Sequence, residues 1–363
     1  MNSIILAGGI GSRLRPLSCT RPKLLFPILN KPLLDWTFER LAKSGIKGVT
    51  LAVKYMAEVF MQRYGESSHG IKISYSKEKK PMFTGGAIKY AEELIGHKEP
   101  FLVLNGDIFT RMDFSDILNC HNENEGIATI AIYRVEDPSR YGTVKLTNNN
   151  MVEKFVEKAP IDRAPSNLIN AGVYVLDPEI FEYIPGGRPV SIEREVFPKL
   201  ADEGKLFAHE FTGIWVDIGK PADYLRANRI VLDSEMKNKC LRKNIDINDV
   251  IIDEPVVFDS GIKIGKGSHI GPYAVIGENS VLEDNVILEN SVVFPETTIL
   301  DGTSIEGAVI GEGTVIGKGV KIMDGTVIGD YVTIQDNVII SPNVTICHSK
   351  TVGQNIPEST NMI

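Results

Sequence analysis

Between Asp249 and the C-terminus, aliphatic or aromatic residues recur at every sixth position: Ile252, Phe258, Ile264, Ile270, Ile276, Leu282, Leu288, Phe294 and Leu300. The recurrence resumes at Ile310, Ile316, Ile322, Ile328, Ile334, Ile340 and Ile346 in a new phase, so a corner between Leu300 and Ile310 is inserted or shortened. Small or β-branched residues stand two places earlier, as at Val256, Ile262, Ser268, Ala274, Ser280, Val286, Val292 and Thr298. A period of six matches neither a helix face nor the two-residue alternation of a single strand. It is the pattern of a parallel β-helix, whose stacked coils bury one aliphatic ladder. Gly265, Gly271, Gly277, Gly311, Gly317 and Gly329 fall where its corners turn. The expected organisation is a first domain over 1–232, a linker over 233–249, the β-helix over 250–347 and a tail over 348–363.

The first domain reads differently. Short apolar runs at Ser3–Ala7, Val49–Val53, Ile71–Tyr75 and Phe101–Leu104 predict strands. Helical spacing falls between them at Pro32–Ser44, Ala57–Tyr64 and Gly86–Ile95. Such alternation predicts parallel strands with helices on both faces, and ligands bind beyond the carboxyl ends of such strands. From Ile127 onward strands predominate (Ile127–Tyr133, Gly142–Leu146, Val152–Val156, Leu168–Val175, Leu206–Phe211 and Trp215–Asp217). Helices are predicted at Ile192–Asp202 and Ala222–Lys237. The fold class is α/β, a Rossmann-like domain with a mixed, mostly parallel sheet followed by the β-helix.

The first strand opens into Leu6-Ala7-Gly8-Gly9-Ile10-Gly11-Ser12-Arg13, and the basic residues Arg15, Arg21 and Lys23 follow. Glycines let backbone N–H groups approach an anion closely, and the cations neutralise it, so this stretch is built to hold a polyphosphate. It lacks the Gly-Lys-Ser/Thr of a Walker A loop, and Leu14 stands where a dinucleotide fingerprint needs its third glycine. The basic tract stands out because the formal charge is −8, which argues against a general nucleic-acid binder. Four scattered cysteines suit a reducing compartment, six scattered histidines form no zinc pattern, and no apolar run reaches membrane-spanning length. No nucleic-acid or membrane partner is expected, and the expected location is the cytoplasm.

The run from Leu6 to Pro32 resembles the N-terminal motif of the sugar-phosphate nucleotidylyltransferases, which join a sugar 1-phosphate to a nucleoside triphosphate and release pyrophosphate. The β-helix resembles the left-handed form. The resemblance implies that Arg13 steadies the leaving pyrophosphate and Lys23 holds the triphosphate, with Leu6, Ala7, Gly8, Gly9, Gly11 and Ser12 lining the nucleotide. Asp107 in Asn105-Gly106-Asp107 and Asp217 in Trp215-Val216-Asp217-Ile218-Gly219 match the family's magnesium ligands. Gly142, Glu157, Lys158 and Asn170 match sugar-phosphate positions, although Glu153-Lys154 offers a second Glu-Lys pair. Thr84, Gly85 and Gly86 match a base-selecting Gly-Thr-Ala-Gly, with Phe83 in place of its first glycine.

Ser191–Pro198 together with Trp215–Tyr224 looks most like the branch that makes GDP-mannose from GTP and mannose 1-phosphate. Uridylyl, thymidylyl and adenylyl transfer to glucose 1-phosphate are the alternatives within the family. A non-catalytic nucleotide-sugar sensor is another, disfavoured because Arg13, Lys23, Asp107 and Asp217 are all present. Acyl transfer on the β-helix would need a catalytic histidine, and His269 reads as a corner residue. The β-helix is then expected to join subunits into a homo-oligomer.

Overall fold

The computed structural model describes residues 1–236 and 249–362, so most of the expected linker lies outside the described residues. The chain forms two compact units, Met1–Gly9 with Leu34–Val216, and Ile10–Leu33 with Asp217–Ile363.

The first unit is built on one ten-stranded sheet. Asn2–Leu6, Gly48–Val53, Ile71–Lys77 and Phe101–Asn105 are parallel neighbours, as strands joined through crossover helices must be. Leu168–Leu176 then runs antiparallel to Phe101–Asn105, which makes the sheet mixed. Ile4, Val103, Tyr174 and Phe197 belong to its continuous core.

Two elements after Asp107 depart from the expected pattern. Ile108–Thr110 forms a short strand paired with Trp215–Asp217, and Phe114–Asn122 forms a helix. Asp113 caps that helix by accepting a 2.9 Å hydrogen bond from Ser115 N, a local start signal between two apolar runs. The helix expected over 192–202 begins as a π-turn, Ile192–Val196, and becomes α-helical at Phe197–Asp202. Pro198 marks the change, since it has no N–H to give to the ladder.

The second unit is a left-handed parallel β-helix with three faces, each a stack of six or seven short parallel strands. Its inward ladder differs from the expected one in the middle. Leu288 is in register with Ile305, and Val293 with both Ile276 and Ile310. The buried ladder thus passes through Val293, Ile299 and Ile305, and Phe294 and Leu300 lie off it. The small inward positions are correspondingly Ser291 and Thr297, not Val292 and Thr298. The cause is two shortened corners, Leu288 to Val293 and Ile305 to Ile310, in place of one slip. In full corners the left-handed residue, such as Asn279 or Gly313, comes three places after the ladder residue. In the short ones, Asn290 and Gly307, it comes two places after.

The coil also continues past 347. Thr351–Val352 stacks on Thr333–Ile334, and Asn361–Met362 on Thr345–Ile346, so the expected tail supplies two further strands.

Residues 10–33, expected in the first domain, fold with the β-helix. Phe294, displaced from the ladder, meets Phe26 and Tyr224 edge to face at 6.3 and 6.2 Å. Leu29 N donates to Asn228 Oδ1 at 3.0 Å, and Asn30 Nδ2 to the Ile276 carbonyl at 2.8 Å. Tyr224 closes the set with a hydrogen bond to the Pro27 carbonyl.

Candidate active site

Within the first unit, the glycine turn and Asp107 lie at adjoining strand ends. Leu6 is in register with Asn105, and Gly106 N donates to the Leu6 carbonyl at 3.1 Å. Leu6, Ala7, Gly8 and Gly9 therefore leave the sheet beside the turn that carries Asp107. Gly9 has nothing within 4 Å of where a Cβ would stand and needs no left-handed backbone. Packing gives no reason for glycine there, whereas close approach of a ligand does. Gly8 is tighter, with Glu78 Oε1 3.2 Å from its would-be Cβ. Burial pushes the Glu78 carboxyl above its ordinary range, against the lowering effects of the Met82 N–H and Lys54. Asn105 Oδ1 is buried without a hydrogen-bond partner among the described residues, an open acceptor two residues from Asp107.

Thr84, Gly85 and Gly86 open the helix Phe83–Tyr90. Gly86 N donates to the Val190 carbonyl at 3.0 Å, and a Cβ on Gly85 would stand 3.1 Å from Val190 and 3.2 Å from Ile192 N. These two glycines let the helix pack against 188–192. Phe83, in place of the family's glycine, holds a left-handed φ of 56° and is largely exposed.

Gly142 and Glu157 face one another across paired strands. A Cβ on Gly142 would meet Glu157 Oε2 and the Phe155 ring at 2.7 Å. Of the two Glu-Lys pairs, Glu153 and Lys154 face solvent, with Glu153 bonded to Lys145 at 2.9 Å. Glu157 is turned inward, its side chain 15% exposed and 3.6 Å from Lys158 Nζ. Burial, and then the nearby Glu193, raise its pKa. Asn170 donates to Tyr174 OH at 3.0 Å and accepts from Gly172 N at 3.0 Å. Gly172 is required here: its φ is 74°, and a Cβ would lie 2.3 Å from Ile108.

Glu193, in the first turn of the element that begins at Ile192, also belongs to this cluster. Ser191 and Glu195 do the capping: Arg194 N donates to Ser191 Oγ at 3.3 Å, and Ser191 N to Glu195 Oε1 at 3.1 Å. Glu193 turns inward and accepts from Thr84 Oγ1 at 2.6 Å and Ser191 Oγ at 2.7 Å. The signal was present in Ser191-Ile192-Glu193-Arg194-Glu195, where one of two glutamates is surplus to capping.

Within the second unit, Gly11 takes a left-handed φ of 66°, and its carbonyl accepts from Ser18 Oγ at 2.8 Å. Ser12, Arg13 and Leu14 follow as a 3₁₀ turn in which Arg13 is exposed. Lys23 begins a later 3₁₀ turn, Lys23–Leu25, and is buried, 7% exposed. Asp217 ends the strand Trp215–Asp217, just before the helix Pro221–Met236. Arg21 is committed elsewhere: its guanidinium lies 2.7 Å from Asp330 and 2.8 Å from Glu312, over the Phe294 ring at 4.8 Å.

A family model described as nucleotidyl transferase matches residues 2–234, and one described as GMPPB C-terminal domain matches residues 252–363. Mannose-1-phosphate guanylyltransferase catalytic subunit beta of Danio rerio is 43% identical over 238 residues, 64% of this chain and 65% of that protein. Probable mannose-1-phosphate guanylyltransferase 2 of Oryza sativa subsp. japonica is 40% identical over 247 residues, 67% of this chain and 68% of that one. The matches thus span about two-thirds of these relatives' length. Among solved structures, HddC from Yersinia pseudotuberculosis complexed with GMP-PN is 30% identical with a TM-score of 0.53, covering 63% of this chain and 98% of that one. By its residues 2–234, the chain belongs to the nucleotidyl transferase family.

Proposed function

We propose that this chain is a mannose-1-phosphate guanylyltransferase: it joins GTP to mannose 1-phosphate, forming GDP-mannose and pyrophosphate. An oxygen of the sugar phosphate attacks the α-phosphorus of GTP, the bond from that phosphorus to the β-phosphate bridge breaks, and pyrophosphate leaves with the electron pair. The obstacle is repulsion between two anions, so catalysis is chiefly charge neutralisation and positioning. The observation that carries the reading is the open glycine turn at Gly8-Gly9 beside the Asp107 turn, at adjoining carboxyl ends of parallel strands. The named relatives, at 40–43% identity, supply the choice of base and sugar.

In this reading Leu6, Ala7, Gly8, Gly9, Gly11 and Ser12 line the nucleotide, and Thr84 belongs with them. Arg13 and Lys23 neutralise the triphosphate and the leaving pyrophosphate. Gly142 admits the sugar close to the backbone, while Glu157, Asn170 and Lys158 hold its hydroxyls and phosphate. Asp107 and Asp217 are the proposed ligands of a divalent cation such as magnesium. No group of three or more His, Cys, Asp or Glu side chains gathers as a metal cage among the described residues. Two carboxylates nevertheless fit an ion that binds through one or two carboxylates plus phosphate and water oxygens. When bound, it withdraws charge from the phosphates. We further propose a cytoplasmic homo-oligomer joined through the β-helix.

The test is pyrophosphate release from five nucleoside triphosphates, each paired with mannose, glucose and N-acetylglucosamine 1-phosphates. GTP with mannose 1-phosphate is expected to lead. Preference for UTP or dTTP with glucose 1-phosphate would overturn the substrate assignment. Tight binding of nucleotide sugars without turnover of any pair would favour a sensor.

A further inference from the structure

The corners of the β-helix repeat one device. An aspartate two places past the ladder residue accepts a hydrogen bond from the backbone N–H one coil earlier. Asp284 takes it from Lys266 N, Asp330 from Glu312 N and Asp336 from Lys318 N, each at 2.8 Å. Asp284 and Asp336 stand in solvent, whereas the Asp330 side chain is 1% exposed. Its second oxygen accepts from Arg21 at 2.7 Å and from Thr20 Oγ1 at 2.5 Å. Glu312, on the coil before, takes the same Arg21 nitrogen at 2.8 Å, and Tyr331 OH braces Glu312 at 3.2 Å. The Phe294 ring closes the other side of the guanidinium.

One such corner has therefore been turned from a solvated cap into a buried mooring. What it moors is the stretch Thr20-Arg21, joined through Pro22 to Lys23. Pro22 has a ring-fixed φ, so little slack separates the anchored arginine from Lys23. Upstream, Ser18 ties the same stretch back to Gly11, two residues from Arg13. A buried aspartate is costly unless its oxygens are satisfied, and here both are, by donors that only this segment and this coil provide.

We propose that Asp330 is a positioning residue for nucleotidyl transfer, acting through Arg21 and Thr20 on the segment that carries Arg13 and Lys23. The inference rests on the function proposed above. It gives the β-helix a part in the reaction beyond assembly: its corner sets where two phosphate-neutralising cations stand.

The test compares Asp330→Asn with Asp336→Asn in the full chain. Asp336→Asn alters the same corner bond without touching the mooring. Two readouts are needed: hydrogen exchange of the amides in residues 10–26, and kcat with separate KM values for GTP and mannose 1-phosphate. Asp330→Asn is expected to raise exchange across 10–26 and lower kcat about tenfold or more, with KM for mannose 1-phosphate within about twofold. Asp336→Asn is expected to change neither. Should Asp330→Asn fail to accumulate folded, Thr20→Val removes one donor to the same oxygen and is read the same way at smaller size.

Exchange that matches Asp336→Asn, or raised exchange with kcat within about twofold of wild type, would overturn the proposal. Absence of turnover in the wild-type chain would instead overturn the nucleotidyl-transfer reading and with it the catalytic role of Asp330. The exchange comparison would still decide whether Asp330 moors the segment.

Discussion

Gly311 and Gly9, one in each unit, serve opposite purposes. In the β-helix, Gly311 has no room for a side chain: a Cβ would lie 2.5 Å from Asp330 N in the next coil. In the α/β unit, a Cβ on Gly9 would have nothing within 4 Å. The first glycine is required by the chain itself, the second by whatever approaches it. The same contrast runs through the charged residues. The aspartates of the β-helix corners satisfy backbone N–H groups, whereas the unpartnered Asn105 Oδ1 and the buried Glu157 are carried at a cost to folding.

Five substitutions break or sharpen that contrast. The largest effect is expected from Asp107→Asn, which should lower kcat about a thousandfold in a guanylyl-transfer assay while leaving the thermal transition near that of the wild type. Unchanged turnover would remove Asp107 from the reacting centre. Next comes Ile316→Ala in the β-helix ladder. It should cost about 3–4 kcal/mol in denaturant unfolding, because Ile316 is fully buried and stacked coils leave little room to collapse. The kcat of the molecules that remain folded should match wild type.

Paired glycine variants follow. Gly311→Ala should cost about 2–4 kcal/mol of stability. Gly9→Ala should leave stability alone and reduce kcat/KM for GTP about tenfold or more. A Gly9→Ala protein with wild-type kinetics would leave that glycine without a function.

The smallest effect is the pH dependence carried by Glu157. Its folded pKa is raised, first by burial and then by Glu193. Its contribution to stability is therefore fully present below the ordinary carboxyl pKa and is lost as pH rises through the folded value. Glu157→Gln should flatten the decline of the unfolding transition over that window, and a slope equal to wild type would contradict the assignment.

Much of the fold is legible in the sequence. The six-residue period dictates a β-helix because no other regular structure repeats at that spacing. The four parallel strands announced themselves as short β-branched runs between helical patterns. The errors have physical causes. Phe294 and Leu300 keep the six-residue phase and are apolar, but apolarity does not say which face a residue buries on. Phe294 is buried on the outside of the coil, by Phe26 and Tyr224. The helix Phe114–Asn122 is short and buries only Phe114, Ile117 and His121, so its apolar pattern is weak, though Asp113 marks its start.

Of the candidate site, the glycine turn, the cations and the two aspartates stand out as motifs because each motif is contiguous in sequence. Glu193 does not, since whether a glutamate caps a helix or turns into a pocket depends on which neighbour takes the cap. The partnership of Arg21 with Asp330 joins residues more than three hundred positions apart and left no local signal.

The central claim is tested most directly by the fate of isotope. Mannose 1-phosphate carrying heavy oxygen on its phosphate is incubated with GTP and the chain, and both products are weighed by mass spectrometry. Attack by the sugar phosphate on the α-phosphorus predicts all of the label in GDP-mannose and none in an equimolar yield of pyrophosphate. Label in the released pyrophosphate, or GTP consumed without GDP-mannose, would contradict it.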